Sequence, residues 1–330
     1  MTEFLVRRSL SAIFVLWASI TLVFVVMFGF GDPCAGTKGA QATPEQLSQC
    51  REAYGLDQPL IVQYASYLGV RPTVVRKSSE YSENAPRGLL QGHLGISMLH
   101  DDDVTTVVLT RLPRTMLLGG MALSFEVIIG VIIGIVAATR RNTWFDTGFM
   151  ATAFLGISAP SFLTGLVFLY FFAFRLGWFP VGGYGVDPLD HVGHAVLPAF
   201  TLAIIGIATY ARIMRSEMID TLRTDYIRTA RAKGVGPFRV ILAHGARNAL
   251  LPIVTLMGLQ LAILVSGAII TEEIFSWPGV GRLALESIVN QDAFMVVGLV
   301  VMVSLTVQVG NILADIVVAT LDPRIRLGSK

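Results

Sequence analysis

Six long apolar runs limit what this chain can fold into more than any other feature of its sequence. Each run carries few or no charges and reaches, or nearly reaches, the roughly 20 residues that a helix needs to cross a bilayer. Because a backbone in lipid must satisfy its own hydrogen bonds, these runs predict transmembrane helices. The predicted spans are Leu10–Phe30, Thr115–Thr139, Gly148–Phe174, Ala195–Ala211, Ala249–Thr271 and Ala293–Ala314.

The composition agrees with a membrane protein. Of the 330 residues, 53% are hydrophobic and only 15% are charged, whereas about a quarter of the residues in a soluble domain are charged. The first run is too long for the apolar part of a cleaved signal peptide, so it is expected to remain as a span. The net charge of +2 gives no reason to expect a nucleic-acid partner. The sequence therefore predicts an all-α integral membrane protein with six transmembrane helices.

The basic residues predict the orientation. An even number of spans places both termini on one side of the membrane. With the termini in the cytoplasm, fifteen basic residues fall on that side, whereas the two short loops opposite hold only Arg175 and Arg282. Since Lys and Arg concentrate in cytoplasmic segments, both termini are predicted to be cytoplasmic. The long segment 31–114, called the first loop below, is then extracytoplasmic.

This topology divides the chain into four parts. Residues 1–30 form the cytoplasmic N-terminus and the first span, 31–114 the first loop, 115–320 a core of five spans, and 321–330 a cytoplasmic tail. The longest cytoplasmic piece within the core is 212–248. It holds eight Arg and Lys residues and is called the basic loop below.

The first loop carries signals of local structure. Cys34 and Cys50 lie 16 positions apart, and on the oxidising side of the membrane a disulfide is expected; two unpaired thiols are the alternative that the sequence leaves open. Thr43 and Pro44 suit the cap and first turn of a helix. The polar, turn-rich stretch within 70–87 predicts a flexible insertion.

No metal site and no catalytic site are predicted. The acidic run Asp101–Asp103 lacks the spacing of a ligand set and is typical of a solvated loop or a helix N-terminus. The sequence lacks H-E-x-x-H and G-x-S-x-G, and none of its four lysines follows a glycine as a phosphate-binding loop requires. Energy for any active process is therefore expected from an ion gradient or a partner. The histidines outside any known ligand pattern are His93, His100, His191 and His194.

Glu126 is the ionisable residue deep within a predicted span, and Asp315 lies near the end of the last span. A charge at this depth is costly, so Glu126 is expected to face the interior of the helix bundle. It is either part of an ion pathway or a hydrogen-bonded group that fixes helix packing. A single such residue without an evident partner favours packing.

The basic loop has the pattern of two short helices separated by a turn. Apolar residues at positions 218, 222, 226 and 230 predict one helical face, Gly234 ends that helix, and Pro237 suits the first turn of the next. Charge that sets the topology beside anionic lipid explains the arginines but not the break. A docking helix for a cytoplasmic partner explains both.

Segments along nearly the whole chain resemble one family. DYIRTARAKG followed by HGARNALLPIVT is similar to the signature loop of permease subunits of bacterial ABC importers, in the dipeptide/oligopeptide and nickel branch. Further segments agree with that branch in the expected order. They are GLDQPLIVQYASYLG, RLPRTMLLG, GISAPSFLTGLVFLYFFA, LPAFTLA, ARIMRSEMIDTL, TEEIFSWPGVGRL and LDPRIR.

The resemblance implies the type I ABC importer permease fold in the bacterial plasma membrane. Its expected partners are a second, similar permease, two cytoplasmic ATPases and an extracytoplasmic solute-binding protein. ATP and Mg²⁺ are used by the ATPases, and the chain itself binds no cofactor. The implied function is half of a translocation path for di- and oligopeptides, working by alternating access. The implied ATPase-coupling residues are Asp225, Arg228, Thr229, Ala230, Arg231, Lys233 and Gly234.

The chain departs from the family pattern in places. Of the general E-A-A-x-x-x-G pattern, registered on Gly234, only Ala230 and the glycine remain, as is usual in the peptide branch. The family's G-D-L-G is GHLG at 92–95, and its Pro-Val is Asp103-Val104. The last two departures, and a longer stretch at 70–87, lie outside the membrane. They therefore leave the identity of the cargo undetermined but do not affect the implied mechanism.

Three residues after the fifth span, Glu272, Glu273 and Trp277, are predicted to contact the translocation path or the binding protein. An interfacial aromatic anchor is the alternative for Trp277. For the cargo, nickel or another small solute is the alternative to peptides. An ion-coupled secondary transporter, using Glu126 and Asp315, is the alternative from another class, although its usual internal repeat is not evident. An intramembrane enzyme lacks a visible nucleophile or metal set.

Overall fold

The computed structural model describes residues 2–38, 42–71, 88–257, 260 and 268–321, with the side chains of all but 2–6, 38, 154–158, 313–315 and 317–321. Within these ranges every regular element is a helix, and the one β pairing is an isolated bridge between Ile96 and Asp103. The predicted insertion within 70–87, part of the fifth span and nearly all of the predicted tail lie outside the described residues.

The first loop is largely helical where it is described. Helix α1 (Thr2–Phe24) continues as a π-helical turn (Val25–Gly29), followed by α2 (Pro33–Lys38), α3 (Pro44–Tyr54) and α4 (Leu60–Leu68). The predicted cap of α3 is confirmed: the Thr43 hydroxyl accepts a hydrogen bond from the Gln46 amide, and the Gln46 side chain accepts one from the Thr43 amide. This reciprocal arrangement satisfies two amides that a first helical turn otherwise leaves unpaired.

The later elements are these ten helices: α5 (Val104–Thr139), α6 (Trp144–Ser158), α7 (Ser161–Phe168, continuing as the π-helical turn Leu169–Arg175), α8 (Pro188–Leu222), α9 (Asp225–Ala232), α10 (Pro237–Ala249), α11 (Leu251–Met257), α12 (Ile269–Ile274), α13 (Val280–Val289) and α14 (Ala293–Leu321). In the described part of the chain, α1, α5, α8 and α14 are each long and apolar enough to cross a membrane. Helices α10 and α11 form a further candidate span with a bend of 47°. The third predicted span is shared by α6 and α7.

Two predicted spans differ in extent from the helices of the structure. Helix α5 begins at Val104 rather than Thr115, because the Asp103 carboxylate caps it by accepting hydrogen bonds from the Thr105 amide (3.1 Å) and the Thr106 hydroxyl (3.4 Å). Residues 104–114 of the first loop are therefore helical, and part of its acidic run is a helix N-terminus. The third predicted span is divided before α7, since Pro160 has no amide hydrogen with which to continue α6.

The chain divides into two compact units, of which the first comprises Met1–Arg114 and Gly279–Thr306. Helix α13 and the first part of α14 thus group with the first loop and not with the remainder of the predicted core. In this unit the Phe294 ring lies 5.0 Å from Phe28 and 5.8 Å from Tyr54, between ring centroids.

The second unit comprises Thr115–Pro278 and Val307–Lys330, and within it α5 and α8 meet at glycines. A Cβ added at Gly134 would lie 2.5 Å from the Met214 Cβ, and one at Gly130 would lie 2.7 Å from the Tyr210 Cβ. Small residues let the backbones of membrane helices approach closely. The two helices are therefore packed as tightly as their backbones allow.

Candidate functional site

The predicted coupling residues lie on and directly after α9. Helix α8 ends at Leu222, Thr224 takes an extended conformation, and α9 begins at Asp225. An acidic residue in a first turn is favoured by the partial positive charge of a helix N-terminus. After α9, Gly234 adopts a left-handed φ of 76°, which glycine tolerates better than any other residue.

The buried face of α9 differs from the predicted one. The sequence predicts one continuous helix with positions 218, 222, 226 and 230 on a common face, but the break after Leu222 changes the phase. Ile227 is fully buried, whereas Tyr226 is 43% exposed. The predicted turn after Gly234 and the helix that starts at Pro237 are confirmed.

Most of α9 is exposed to solvent, and three of its eight residues are charged. Arg228 Nη1 lies 3.1 Å from Asp225 Oδ1, and these side chains are 76% and 94% exposed. Because an exposed ion pair contributes little to stability, the stability of the fold does not account for this concentration of charge. The predicted coupling residues that are exposed, which we call the α9 surface, are Asp225, Arg228, Thr229, Arg231, Lys233 and Gly234; Ala230 is half-buried.

Tyr226 attaches α9 to α10. Its hydroxyl accepts a hydrogen bond from Asn248 Nδ2 (2.7 Å) and donates one to the His244 carbonyl (3.4 Å). On the other side, only Arg223 and Thr224 separate α9 from α8. Helix α9 is therefore connected to both α8 and α10.

Glu126 lies between α5 and α8. Its side chain is 1% exposed, and a Cβ added at Gly206 would lie 2.0 Å from the Glu126 Cδ. Gln260 hydrogen-bonds the carboxyl group. Within the described residues, Glu126 Oε2 and the Tyr210 hydroxyl are both buried without a hydrogen-bond partner. This close enclosure supports the interpretation that Glu126 fixes the packing of the two helices.

The structure contradicts a binding-protein contact through Glu272 or Trp277, because both side chains are fully buried. The Trp277 ring packs edge-to-face on Tyr184 (centroids 5.0 Å apart), and Glu272 Oε1 accepts a hydrogen bond from the Thr115 hydroxyl (2.7 Å). Burial equally contradicts an interfacial anchor, which places the ring at lipid headgroups. Glu273 is exposed, and its predicted contact stays a prediction, as does a role in the translocation path.

Cys34 and Cys50 are joined by a disulfide, with Cα atoms 6.0 Å apart. The bond fastens α2 to α3. Beside it, Arg51 forms an ion pair with Asp32; its hydrogen bond and charge hold the pKa of the Asp32 carboxyl below its usual value. The described part of the first loop is thus fastened covalently and by charge close to α1.

The sequence alone did not single out two buried acidic residues. Asp292 Oδ2 accepts hydrogen bonds from the Ser97 hydroxyl (2.5 Å) and the Leu99 amide (3.1 Å). Asp146 accepts two bonds from Arg215. Each acidic residue lies just before or in the first turn of an apolar helix, and this position is only a weak indication of a buried, paired carboxylate. The partners lie 195 and 69 positions away along the chain, and no local pattern reveals them.

Two family models match this chain. Residues 130–327 match the model described as binding-protein-dependent transport system inner membrane component, which covers more than half of the chain. The chain belongs to this family. Residues 1–119 match the model for the N-terminal part of such a membrane component. The predicted membrane location is confirmed to this extent: the chain is a multi-pass inner membrane component of a transport system.

Curated relatives of this inner membrane component match over nearly their full length. The oligopeptide transport system permease protein AppB of Bacillus subtilis is 35% identical, covering 98% of this chain and 99% of the relative. A putative peptide permease protein of Brucella suis is 37% identical, with 99% and 100% covered. The di/tripeptide transport system permease protein DppB of Pseudomonas aeruginosa is 35% identical, with 99% of each covered.

A solved structure of the MetNI methionine ABC transporter, in an inward facing conformation, has a similar fold. The match has a TM-score of 0.55 at 16% identity and covers 66% of this chain and 97% of the solved chain. At this identity the likeness concerns the fold alone. Together with the family match, it confirms the predicted all-α permease fold.

Proposed function

We propose that the chain is the permease subunit of an ATP-driven ABC importer and forms half of the translocation path for di- and oligopeptides. The observation that carries the proposal is the similarity to permeases named for oligopeptides and for di/tripeptides, at 35% identity. This similarity covers 98–99% of the chain, so it includes the first loop and the α9 surface as well as the spans.

In the proposed orientation both termini lie in the cytoplasm of a bacterium and the first loop lies outside. The distribution of Lys and Arg supports this. The disulfide between Cys34 and Cys50 supports it independently, because disulfides persist on the oxidising side of the membrane. The α9 surface is then cytoplasmic.

Three kinds of partner complete the proposed transporter: a second, similar permease, two cytoplasmic ATPases that use ATP and Mg²⁺, and an extracytoplasmic solute-binding protein. The α9 surface docks on an ATPase. The exposed charges of α9 support this docking, because the ion pair among them contributes little to stability. The sequence has no phosphate-binding loop, so hydrolysis of ATP is assigned to the partners.

Transfer of energy requires that the α9 surface interacts differently with the two states of the ATPase. A short helix bounded by Thr224 and Gly234, and bonded to α10 through Tyr226, can transmit such a difference. The displacement then opens the path alternately to the two sides of the membrane.

Reconstitution tests the proposal. The chain is purified together with the permease, ATPases and solute-binding protein that copurify with it, and the complex is placed in liposomes with enclosed ATP and a labelled dipeptide outside. Peptide uptake that needs both ATP and the binding protein supports the proposal. Uptake of Ni²⁺ instead of peptide would show that the cargo is nickel and not peptides. Uptake driven by an ion gradient without the ATPases would show that the chain is a secondary transporter. This is the second candidate function, and the buried Glu126 is the observation that motivates it.

A further inference from the structure

A buried ion pair joins the beginning of α6 to the end of α8. Arg215 Nε and Nη2 donate to the two carboxylate oxygens of Asp146 at 2.5 and 2.6 Å. The Asp146 side chain is only 5% exposed and that of Arg215 is 25% exposed. Two parallel charge-assisted bonds fix the orientation of both planar groups as well as their separation. The ends of the two helices are therefore held in one relative position.

Arg215 lies on the part of α8 that leads directly to α9. The adjacent Met214 and the nearby Met218 are fully buried and pack with residues of α10 and α11. Gly134 brings α5 against Met214 at close range. Since α8 is continuous to Leu222, a displacement of α9 reaches Arg215 through one rigid helix.

Asp146 lies in the first turn of α6, which opens the third predicted span. Its Oδ2 also accepts a hydrogen bond from the Asn142 amide (3.0 Å). Asn142 has a left-handed φ of 62°, so the carboxylate fixes the turn between α5 and α6 in an uncommon conformation. The same carboxylate thus holds the start of α6, the preceding turn and α8 together.

Farther along, α6 also packs against α8. An apolar cavity of about 480 Å³ lies between α5, α6, α7 and α8. Its lining includes Phe149 and Thr152 of α6 and Phe200 of α8. Apolar contacts therefore join the two helices, and the ion pair adds a fixed relative orientation that apolar contacts do not specify. Separating the two side chains would leave the nearly buried Asp146 carboxylate without its charged partner, which opposes separation of the two helices.

We propose that Asp146 and Arg215 are positioning residues for transport, whose ion pair makes α6 move together with α8 when a partner displaces α9. The displacement thereby reaches the third span. This inference rests on the proposed function, because it requires a partner that displaces the α9 surface.

The test uses the full complex with its partner subunits, reconstituted in lipid. Asp146→Asn removes the charge and keeps the shape. The exchange Asp146→Arg with Arg215→Asp reverses the pair. The matched control is Asp32→Asn, which removes the acidic partner of Arg51 in the first loop, far from α9 along the chain. Because both native cysteines are in a disulfide, spin labels attach at cysteines introduced at the exposed Thr147 of α6 and Ser216 of α8.

In the unaltered complex we expect the same distance between the two labels without nucleotide and with trapped ATP. In Asp146→Asn the distance distribution with trapped ATP should shift or broaden. ATP hydrolysis should continue while the peptide imported per ATP falls about tenfold, a change within the range that residues along a coupling link produce. The Asp32→Asn control should change neither quantity, and the exchange should restore part of the import.

An unchanged import ratio and unchanged label distances in Asp146→Asn overturn the proposal, and so does an equal loss in the Asp32→Asn control. If Asp146→Asn fails to assemble, the exchange variant decides. If the complex with the exchange variant assembles and its import is restored, the proposal is supported. If that complex assembles with wild-type label distances but imports little, the proposal is overturned. The label distances do not depend on the cargo, so failure of the unaltered complex to import peptides is a separate result.

Discussion

At the scale of single residues, glycines decide how closely the helices of the second unit approach one another. Gly130 and Gly134 on α5 and Gly206 on α8 each lie where an added Cβ would overlap a neighbouring residue. At Gly206 the neighbour is the buried carboxyl group of Glu126. The space for this polar group inside an apolar bundle therefore depends on one missing methyl group.

Gly206→Ala is expected to destabilise the protein, because the new Cβ would lie 2.0 Å from the Glu126 Cδ. Overpacking of this kind costs about 1–3 kcal/mol. Gly193→Ala on the same helix is the matched control: the space around it is open, and alanine is the better helix former. Thermal unfolding of both variants in detergent measures the difference. Equal melting temperatures would show that α8 is not closely packed at Gly206.

Glu126→Gln is expected to leave assembly and ATP-driven uptake near the level of the unaltered complex. Glutamine has the same shape and can still hydrogen-bond Gln260, so a packing role survives the replacement. A role of residue 126 in carrying a proton or cation would be lost, since glutamine is not ionisable. Uptake into liposomes, compared with the amount of assembled complex, measures the effect. Assembled complex that no longer transports would favour ion coupling.

At the scale of elements, α9 shows how a short break alters a helical surface. The sequence correctly predicts a helix that ends at Gly234, followed by a second helix from Pro237. It does not predict that α8 ends at Leu222, because the apolar spacing continues across the break. The restart at Asp225 turns Ile227 inward and leaves Arg228 and Arg231 exposed.

Reversal of Arg228 and Arg231 to glutamate is expected to uncouple hydrolysis of ATP from import. Both side chains are exposed, so the chain should still insert and assemble, while a docking contact that depends on their charge is lost. Arg71→Glu, at an exposed arginine of the first loop, is the control. The measurement is peptide imported per ATP hydrolysed. Import at the unaltered ratio after the double reversal would contradict docking through the α9 surface.

At the scale of the whole molecule, the chain forms two units from segments that are distant in sequence. The first unit combines Met1–Arg114 with Gly279–Thr306. Within it, Asp292 bonds the turn at Ser97 and caps α14 through the Met295 amide (3.1 Å). The disulfide closes a shorter segment of the same unit. The first loop is thus an integrated part of the fold in its described residues.

Replacement of Cys34, Cys50 or both by serine is expected to destabilise the first unit. Loss of a crosslink that closes a loop of this size costs about 3 kcal/mol in the chain-entropy model. The single and double variants should lose the same amount, because each breaks the same bond. Proteolysis of the first loop from outside, followed by mass mapping without reductant, measures both the bond and its effect. If mass mapping of the unaltered protein found no linked pair of peptides containing Cys34 and Cys50, the disulfide would be contradicted.

Local properties of the sequence are sufficient for much of this fold. Apolar runs predict the spans because lipid excludes unpaired backbone groups. The Thr43 cap and the turn at Gly234 follow from a few neighbouring residues, and the helix before Gly234 is predicted by its apolar spacing. Each of these features depends on interactions within about one or two helical turns.

The rest depends on groups that only the folded chain brings together. The burial of Trp277 and Glu272 is decided by Tyr184 and Thr115 from other helices, and the pairing of Asp146 with Arg215 spans 69 positions. The amphipathic pattern around Trp277 fits a surface as well as an interior, because hydrophobic and hydrogen-bonding groups suit both until their partners are fixed. Long-range partners determine which polar groups are buried, and burial determines which residues are free to meet another protein.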